Sequence, residues 1–372
     1  MIVMDVKIDN FYAFKNFHIN MSYPKKIVNS YIPNEYLEEF PNFRYKKVNI
    51  LMGANATGKT SFGKMLMNIF NFAKRRTTSG LLEAIADTKR EASFAIDFIV
   101  DPKKMYRLEC SFAPHPVDEA EEHYIDAYVK SVNLTQKDNY ETCAKRLDEI
   151  RRPEAYNYIS ELEKIQGLHW YFEYPADSSD TVLDLPKNSK TFDYILEHML
   201  KALDPSILSV TKSKDSDEAY VIRMPDRSAI IQSGEKLSTE LLSSGTKAGI
   251  AVACFIDTMI ECKNTFFYCD EKFSYIHSDL EKAVLSLLIN AIKTDDQFFF
   301  TTHNTEILDL PLPKHTFTFF KKNASDTETP INCISASALL QRSTDSIKHA
   351  VENDLFSTAP ALDLIYEMEE LI

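Results

Sequence analysis

Glycine is scarce in this chain, with 8 glycines in 372 residues, roughly 2% where soluble proteins use about 7%. No repeat and no low-complexity linker is present. The few glycines are nevertheless concentrated: Gly53 and Gly58 stand in "LMGANATGKTSF" (51–62), and Gly245 and Gly249 in "LLSSGTKAG" (241–249). Half of the glycines therefore lie in two short segments, and these segments are the first candidates for a functional site.

Three other features are absent. No apolar run reaches the ~18 residues of a membrane span, so we expect no membrane association. The opening "MIVMDVKIDNFYAF" has no basic stretch followed by an apolar one, so we expect no secretory leader. The six cysteines show no C-x-x-C spacing, which disfavours a zinc site and predicts buried thiols in a reducing cytoplasm.

Basic residues are outnumbered, with 42 Lys and Arg against 55 Asp and Glu and a net charge of −13. This charge disfavours broad, nonspecific affinity for nucleic acid without excluding a local basic groove. One small basic cluster, Lys74-Arg75-Arg76, is more typical of a solvated helix end.

Apolar patterning predicts strand–helix–strand order at both ends of the chain, with an insertion between them. Strands are predicted at 3–20 (two, with a turn), 47–52, 92–100, 105–113, 122–134, 167–175, 265–269 and 297–302. Helices are predicted at 60–72, within 138–166 (broken at Pro153), and at 188–203, 246–262 and 279–294, and a hairpin at 207–232. This order predicts an α/β fold with one mixed central sheet built from two distant parts of the chain. The three successive strands 92–100, 105–113 and 122–134 are predicted to form an antiparallel meander. An antiparallel β subdomain and an inserted helical subdomain complete the fold, with limits at 1–135, 136–240 and 241–372.

The first glycine segment is a complete phosphate-loop motif, G-x-x-x-x-G-K-[ST], between a predicted strand and a predicted helix. Its glycines let backbone N–H groups turn inward around phosphate oxygens, and the helix adds the positive end of its dipole. Lys59 is predicted to reach the β- and γ-phosphates and the Thr60 hydroxyl to bind Mg²⁺. The predicted nucleotide-binding residues of the loop are Gly53, Asn55, Ala56, Thr57, Gly58, Lys59, Thr60 and Ser61.

An acid pair ends the predicted strand of "NTFFYCDEKFSYIHSDL" (264–280). An ionised Asp270 can hold Mg²⁺ through water, and Glu271 can polarise an attacking water. Strands often end in acids, so the pair gains its meaning from the phosphate loop in the same chain.

Two further segments accompany these motifs. In "LLSSGTKAG", small residues and hydroxyls at a helix start form either a second anion site or an ordinary helix cap made by Ser243 or Ser244. In "QFFFTTHNTEIL" (297–308), a strand ends in Thr301-Thr302-His303, where a histidine can hydrogen-bond a γ-phosphate.

This order of motifs resembles that of the ABC-type ATPase heads. Within them, the chain is most similar to the SMC-related soluble heads of the OLD and abortive-infection ATPases of bacterial phage defence. The segments "IDNFYAFKNF", "DEKFSYIHSDL" and "TTHNTEIL" carry this likeness. It covers most of the chain, weakly through 75–235. It implies an α/β P-loop NTPase of the ABC-ATPase head type that hydrolyses ATP with Mg²⁺ in the cytoplasm.

The resemblance also implies roles within one subunit. Lys59 and Thr60 bind phosphate and Mg²⁺, Asp270 holds Mg²⁺ through water, Glu271 is the water-activating base, and His303 contacts the γ-phosphate. In the dimer that the resemblance implies, both subunits bind the γ-phosphate. Hydrolysis removes this phosphate, so the nucleotide state determines whether the dimer is closed.

Other implied roles belong to a homodimer or a higher even oligomer that sandwiches ATP. Ser243 and the Gly245 backbone reach the γ-phosphate of the other subunit, and the segment 274–279 lies at the dimer seam. His277 in that segment is equally compatible with a surface position before a helix.

The chain departs from the family pattern at several points. The segment "LLSSGTKAG" corresponds to the signature motif of these ATPases, and in it Ser244 replaces the usual middle glycine. The metal-site glutamine of the family has no clear match, Gln136 being a weak candidate. No long coiled coil is present, and no E…D-x-D nuclease pattern follows His303. We therefore expect any toxic activity to belong to a separate effector protein such as a nuclease, which this ATPase senses, scaffolds or controls in anti-phage defence.

Three alternatives remain open. A DNA-processing head of the repair type predicts DNA-stimulated hydrolysis, so nucleic acid stays a possible partner. An ABC transporter ATPase subunit requires a surface that docks a membrane protein. A binding module without hydrolysis is disfavoured by the intact Lys59, Asp270 and Glu271.

Overall fold

The computed structural model describes residues 1–27, 30–100, 103–114, 123–174, 184–187, 189–213, 216, 218–235, 242–273, 276–323, 325–342, 344–356 and 366–368. The chain forms two compact units. The first unit comprises Met1–Trp170, Asn264–Phe266 and Thr294–Ile372, and the second comprises Tyr171–Lys263 and Phe267–Lys293. None of the helices in the described ranges is long and apolar enough to cross a membrane.

The strands, in chain order, are β1 (Ile2–Asp9), β2 (Phe17–Asn20), β3 (Tyr36–Leu37), β4 (Phe40–Arg44), β5 (Val48–Met52), β6 (Ala92–Val100), β7 (Lys104–Pro114), β8 (His123–Asn133), β9 (Trp170–Glu173), β10 (Ser209–Lys212), β11 (Ala219–Arg223), β12 (Ser228–Gln232), β13 (Phe266–Asp270), β14 (Gln297–Thr301), β15 (Phe317–Lys322) and β16 (Ile331–Ser335). The α-helices are α1 (Lys59–Arg75), α2 (Ser79–Leu82), α3 (Tyr140–Asp148), α4 (Tyr158–Glu163), α5 (Phe192–Leu203), α6 (Ser244–Glu261), α7 (Ser278–Ala291), α8 (Ala336–Leu339) and α9 (Ile347–Glu352). Short 3-10 helices cover Thr305–Asp309 and Lys314–Thr316.

An antiparallel sheet in the first unit has the strand order β2-β1-β6-β7-β8. Its three long strands β6, β7 and β8 follow one another in sequence, as predicted for 92–134, and pair in register from Ala92↔Phe112 to Val100↔Lys104. Buried and half-buried residues alternate along the first part of β6 and from Tyr106 to Ala113 of β7, whereas the last five residues of β6 are all buried. The predicted meander is thereby confirmed.

A mixed sheet in the same unit contains the order β16-β15-β5-β14. Strand β5 runs parallel to both β14 and β15, although about 250 residues of chain separate them, and β15 pairs antiparallel with β16. All five residues of β5 and all five of β14 are buried, as expected of parallel strands covered on both faces. The prediction of one sheet built from distant parts of the chain is confirmed in this unit.

Helix α1 follows β5 and packs on this sheet through phenylalanines. The ring of Phe62 lies 5.8 Å from that of Phe320 on β15 and 6.3 Å from that of Phe299 on β14, measured between centroids. It also lies 5.8 Å from the ring of Phe17, on β2 of the antiparallel sheet. Aromatic pairs at these separations stabilise a core beyond the burial of their area. The packing fixes the start of α1 relative to the end of β5.

The second unit joins α5, α6 and a small antiparallel sheet of order β10-β11-β12. The buried carboxylate of Asp257 on α6 accepts hydrogen bonds from Ser189, at 2.6 Å, and Thr191, at 3.0 Å, just before α5. Tyr220 of β11 donates to Asp193 of α5 at 2.8 Å. These bonds tie the sheet and both helices into one body.

One prediction for this unit is wrong. Residues 207–232 form three strands and two consecutive hairpins rather than one hairpin. The second turn is closed by a hydrogen bond from the Met224 N–H to the Arg227 carbonyl, and the intervening Pro225-Asp226 is a turn signal that marks it. Part of "KDSDE" (214–218), predicted at or near a turn, lies outside the described residues.

The charged stretch 138–166 is helical and interrupted, as predicted. Asn139 caps α3 and Asn157 caps α4, each accepting backbone N–H groups of the following turn. All six cysteines are free, and four of them are buried.

Candidate functional site

The phosphate-loop motif lies between β5 and α1, in the context that its chemistry requires. Gly53 has φ +150° and Gly58 has φ +101°, conformations that side chains rarely adopt. A Cβ on Gly53 would collide with the carbonyl oxygen of Phe320. Both glycines are therefore required by backbone geometry, and Gly58, at the N-cap of α1, has no side chain to cover the helix start.

Lys59 is the buried cation of the loop, 4% exposed. Its ammonium donates to the carbonyl oxygens of Gly53, at 2.9 Å, and Ala54, at 3.1 Å. The Thr57 hydroxyl donates to the same Ala54 carbonyl at 2.8 Å. These bonds hold the loop as a compact ring around the lysine.

The remaining loop residues are more accessible. Asn55 and Ala56 are exposed, whereas Thr60 and Ser61 are half-buried in the first turn of α1. Ala56 has φ +61°, so the backbone reverses at the loop tip. Backbone N–H groups at the start of a helix form an anion-binding position together with the helix dipole.

The T-T-H-N segment lies beside this loop. Thr301 of β14 pairs with Leu51 of β5, and the Thr302 N–H donates to the Leu51 carbonyl at 3.1 Å. His303 is exposed immediately beyond this pairing. Asn304 caps the following 3-10 helix by accepting the Glu306 N–H at 3.0 Å. The first unit thus brings the end of β14 next to the strand that carries the phosphate loop.

The acid pair belongs to the second unit. Asp270, the last residue of β13, is completely buried. Glu271 is half-buried and has φ +42°, a left-handed conformation that is uncommon for a residue with a side chain. Such conformations are enriched at functional sites.

A lysine that sequence reasoning missed follows the acid pair. The Lys272 ammonium is 2.6 Å from a carboxylate oxygen of Glu173 and donates to the Tyr174 carbonyl at 2.9 Å. Nearby, burial raises the pKa of the Cys269 thiol well above its ordinary range, and the Glu173 carboxylate adds to this effect. The contact partners of Lys272 are about 100 residues away in sequence, so no local pattern pointed to them.

The signature segment opens α6 in the second unit. Ser243 is the N-cap, and its hydroxyl accepts the Thr246 N–H at 3.1 Å and lies 2.8 Å from the Thr246 hydroxyl. Gly245 lies in the first turn, and a Cβ on Gly249 would collide with Leu203 of α5. Ser243 thus caps the helix, and Gly249 serves close helix packing.

Two further candidates have local partners. His277 is exposed and caps α7, its Nδ1 accepting the Asp279 N–H at 3.3 Å. The Gln136 amide donates to the Glu39 carbonyl at 2.8 Å on the surface of the first unit. Ser274 of the predicted seam lies outside the described residues.

The sequence matches no protein-family model and no curated protein. Among solved structures, an Smc head bound to the C-terminal winged-helix domain of ScpA is 13% identical with a TM-score of 0.51, covering 91% of this chain and 100% of that chain. An Smc head with an extended coiled coil, bound to the C-terminal domain of ScpA derived from Pyrococcus furiosus, is 10% identical with a TM-score of 0.53, covering 91% and 98%.

The fold is that of the SMC head domains. This likeness confirms the predicted α/β head fold, in which a mixed sheet carries the phosphate loop. The assignment to the ABC-type ATPases is still a prediction from the sequence. The likeness to the phage-defence group remains a prediction from the sequence, as do the roles of the individual site residues.

Proposed function

We propose that this chain is an ABC-type ATPase that binds ATP with Mg²⁺, dimerises around the nucleotide and hydrolyses it. One observation carries the proposal. The G-x-x-x-x-G-K-T motif lies between a buried parallel strand and a helix, with both glycines at positive φ and Lys59 buried inside the loop. The SMC head fold supports the same conclusion.

The loop residues hold the triphosphate in this proposal. Backbone N–H groups of the loop and of the first turn of α1 surround phosphate oxygens, and Lys59 turns from loop carbonyls to phosphate. The contributing residues are Gly53, Asn55, Ala56, Thr57, Gly58, Lys59, Thr60 and Ser61.

The residues proposed for Mg²⁺ have the donor chemistry that this ion prefers. Thr60 offers a hydroxyl and Asp270 a carboxylate, and Mg²⁺ is bound by oxygen ligands and waters. When bound, the ion neutralises charge on the phosphates during transfer. In this proposal the Thr60 hydroxyl would bind the ion directly and Asp270 would bind it through a water molecule.

Glu271 accepts the proton of the attacking water in this scheme, and His303 donates a hydrogen bond to the γ-phosphate. Both are accessible enough for such roles, since Glu271 is half-buried and His303 exposed. Each follows the end of a buried strand, β13 or β14, so a rigid element positions each of them.

Ser243 and Gly245 complete the site of a second subunit in the proposal. Their place at the N-terminus of α6 provides a helix dipole and a hydroxyl for a γ-phosphate supplied from outside the subunit. Loss of that phosphate on hydrolysis then releases the two subunits.

The effector role is the finer part of the proposal, and it depends on the sequence resemblance. We propose that the dimer controls a separate effector protein such as a nuclease in bacterial anti-phage defence. Both similar Smc heads are bound to a domain of another protein, which supports a partner protein here. DNA-stimulated hydrolysis would instead favour the DNA-processing alternative.

A mixing experiment tests the ATPase and the dimer together. Lys59→Ala removes the phosphate lysine, and Ser243→Arg blocks the proposed signature. Each variant alone is expected to be inactive. Mixed in equal amounts, they are expected to recover about a quarter of the wild-type activity, because half of the dimers have one intact site. No recovery, from proteins that dimerise with ATP, contradicts a site shared between subunits.

A further inference from the structure

The residue that follows the acid pair is a buried lysine with a defined long-range anchor. Lys272 is 3% exposed, and its ammonium meets the Glu173 carboxylate at 2.6 Å and the Tyr174 carbonyl at 2.9 Å. A buried ammonium is costly unless it is paired and hydrogen-bonded. Here both conditions are met, so the position of Lys272 is strongly restrained.

The anchor connects the ends of two neighbouring strands. At their starts, the Phe266 N–H of β13 donates to the His169 carbonyl, just before β9, at 3.0 Å. At their ends, Lys272 reaches from beyond β13 to Glu173, the last residue of β9. The two strands therefore run in the same direction, and Lys272 connects their carboxyl ends.

Glu271 lies between two fixed neighbours. Asp270 is completely buried at the end of β13, and Lys272 is held by β9. A left-handed conformation is unfavourable for a residue with a side chain, because its Cβ comes too close to the following carbonyl oxygen. It persists only where the surrounding structure imposes it. The φ of +42° at Glu271 is therefore explained by restraint from both sides.

We infer that the Lys272–Glu173 pair is a positioning device that sets the direction of the Glu271 side chain toward the water it activates. Lys272 does not touch the reacting atoms and acts through Glu271. This inference rests on the proposed function, because it takes Glu271 as the general base.

The test compares Lys272→Met, which keeps the stem and removes the ammonium, with Lys201→Met as the matched control. Lys201 forms an exposed ion pair with Glu197 in the same unit. Lys272→Met is expected to lower kcat about ten- to hundredfold, since small misplacements of catalytic groups have effects of this size. KM and ATP affinity by calorimetry are expected to stay unchanged. Lys201→Met is expected to behave as wild type.

Hydrogen exchange supplies a readout independent of hydrolysis. Backbone amides of 266–273 are expected to exchange faster in Lys272→Met and at the wild-type rate in Lys201→Met. Glu173→Ala is expected to reproduce both effects, and Glu173→Gln to reverse part of them, because its amide oxygen still accepts a hydrogen bond from Lys272.

A double variant separates positioning from general damage. In a Glu271→Gln background, Lys272→Met is expected to cause no further loss of residual turnover, because the base through which it acts is already absent. An undiminished further loss, or unchanged kcat and exchange in Lys272→Met alone, overturns the inference. A wild-type protein that does not hydrolyse ATP contradicts the proposed function instead, and the exchange comparison then still tests the anchor.

Discussion

The ammonium of Lys59 lies 2.9 Å from the carbonyl oxygen of Gly53, the residue that opens the same loop. The lysine that follows the second loop glycine is thus bound to the first, and the cation is buried at the centre of the loop. Its charge is held where backbone N–H groups and the start of α1 also favour an anion. Three sources of positive potential therefore converge on one place within a chain whose net charge is −13.

Removing the Lys59 charge should reduce nucleotide binding to the point where it is lost at ordinary ATP concentrations. Hydrogen bonds to charged groups contribute about 1.5–3 kcal/mol each, so Lys59→Ala is expected to weaken ATP binding by about 100-fold or more. Calorimetry with ATP and Mg²⁺ measures this directly. Lys64→Ala, on the exposed face of the same helix, is the matched control. Unchanged ATP affinity in Lys59→Ala would refute the role given to this lysine.

Glu271→Gln separates binding from turnover. The amide keeps the shape of the side chain but is a poor proton acceptor, and loss of general-base catalysis costs typically about 10²–10⁴ in rate. Nucleotide binding is expected to persist, so the ATP-bound dimer should accumulate. Sizing chromatography with light scattering, with and without ATP, measures the mass. Glu261→Gln, at the exposed end of α6, should hydrolyse ATP normally, and a Glu271→Gln protein that turns over at the wild-type rate is incompatible with the assignment.

Gly53→Ala tests whether the loop backbone must be glycine. The new Cβ would collide with the Phe320 carbonyl, so the loop must move and ATP affinity is expected to fall. Gly234→Ala is an informative control, because Gly234 also has positive φ (+81°) but open space around it. That substitution is expected to cost about 1–2 kcal/mol of stability through φ alone and to leave ATP binding intact. Equal ATP affinities in the two variants would show that a collision with the Phe320 carbonyl does not disturb the loop.

The motifs could be predicted because each one requires particular residue types at short, fixed distances along the sequence. A phosphate loop needs glycines, lysine and threonine within eight residues, and Gly53 to Thr60 supply them in the required strand–helix context. The ends of the buried strands β13 and β14 were equally readable, since apolar runs stop abruptly at Asp270 and Thr301. Local pattern also predicted the meander from β6 to β8.

The contacts between distant residues were not predictable in this way. Glu173 and Lys272 form their pair only once β9 and β13 lie side by side, and a single sequence contains no record of that adjacency. The positive φ of Glu271 was also not predictable, because residues with a side chain rarely adopt this conformation and only tertiary contacts impose it. By contrast, the second hairpin of the β10–β12 sheet was missed although Pro225-Asp226 signalled its turn.

Alkaline pH should destabilise the fold through buried thiols. Burial raises the pKa of Cys254 from 9.0 to about 12, and the carboxylates of Glu173 and Asp257 add to the shift. Because the pKa of this thiol is higher in the folded chain than in the unfolded chain, its contribution to stability is fully present below pH 9. That contribution is lost as the pH rises toward 12. At pH 10, one unit above the thiol's ordinary pKa of 9.0, ionisation of this thiol lowers the free energy of unfolding by about 1.4 kcal/mol.

Comparing wild type with Cys254→Ala isolates this contribution. Burial lowers the pKa of Lys47 to about 8, which has the opposite effect on stability between about pH 8 and 10.5, but Lys47 is present in both proteins and cancels. The unfolding free energy, measured by denaturant titration at pH 8 and pH 10, should fall less in Cys254→Ala than in wild type. Equal falls would show that Cys254 ionises alike in the folded and unfolded chains.

The antiparallel sheet of the first unit contains a buried ion pair. The stability lost when this pair is broken by mutation should depend on pH. Arg107 donates to both carboxylate oxygens of Asp97, at 2.6 and 2.7 Å, and the Tyr140 hydroxyl donates to the same group at 2.9 Å. Burial nevertheless raises the pKa of Asp97. Breaking such a pair by removing one partner costs about 3–5 kcal/mol, because the other charge remains buried.

Arg107→Met therefore leaves Asp97 as an uncompensated carboxylate, whose pKa should rise further. A raised folded pKa favours the folded state at low pH, so the penalty of Arg107→Met is expected to be smaller at pH 5 than at pH 8. The double variant Arg107→Met with Asp97→Asn removes the buried charge and should lose this pH dependence. Thermal unfolding of the three proteins at both pH values measures the effect. A penalty that is the same at both pH values would mean that water reaches Asp97 once Arg107 is gone.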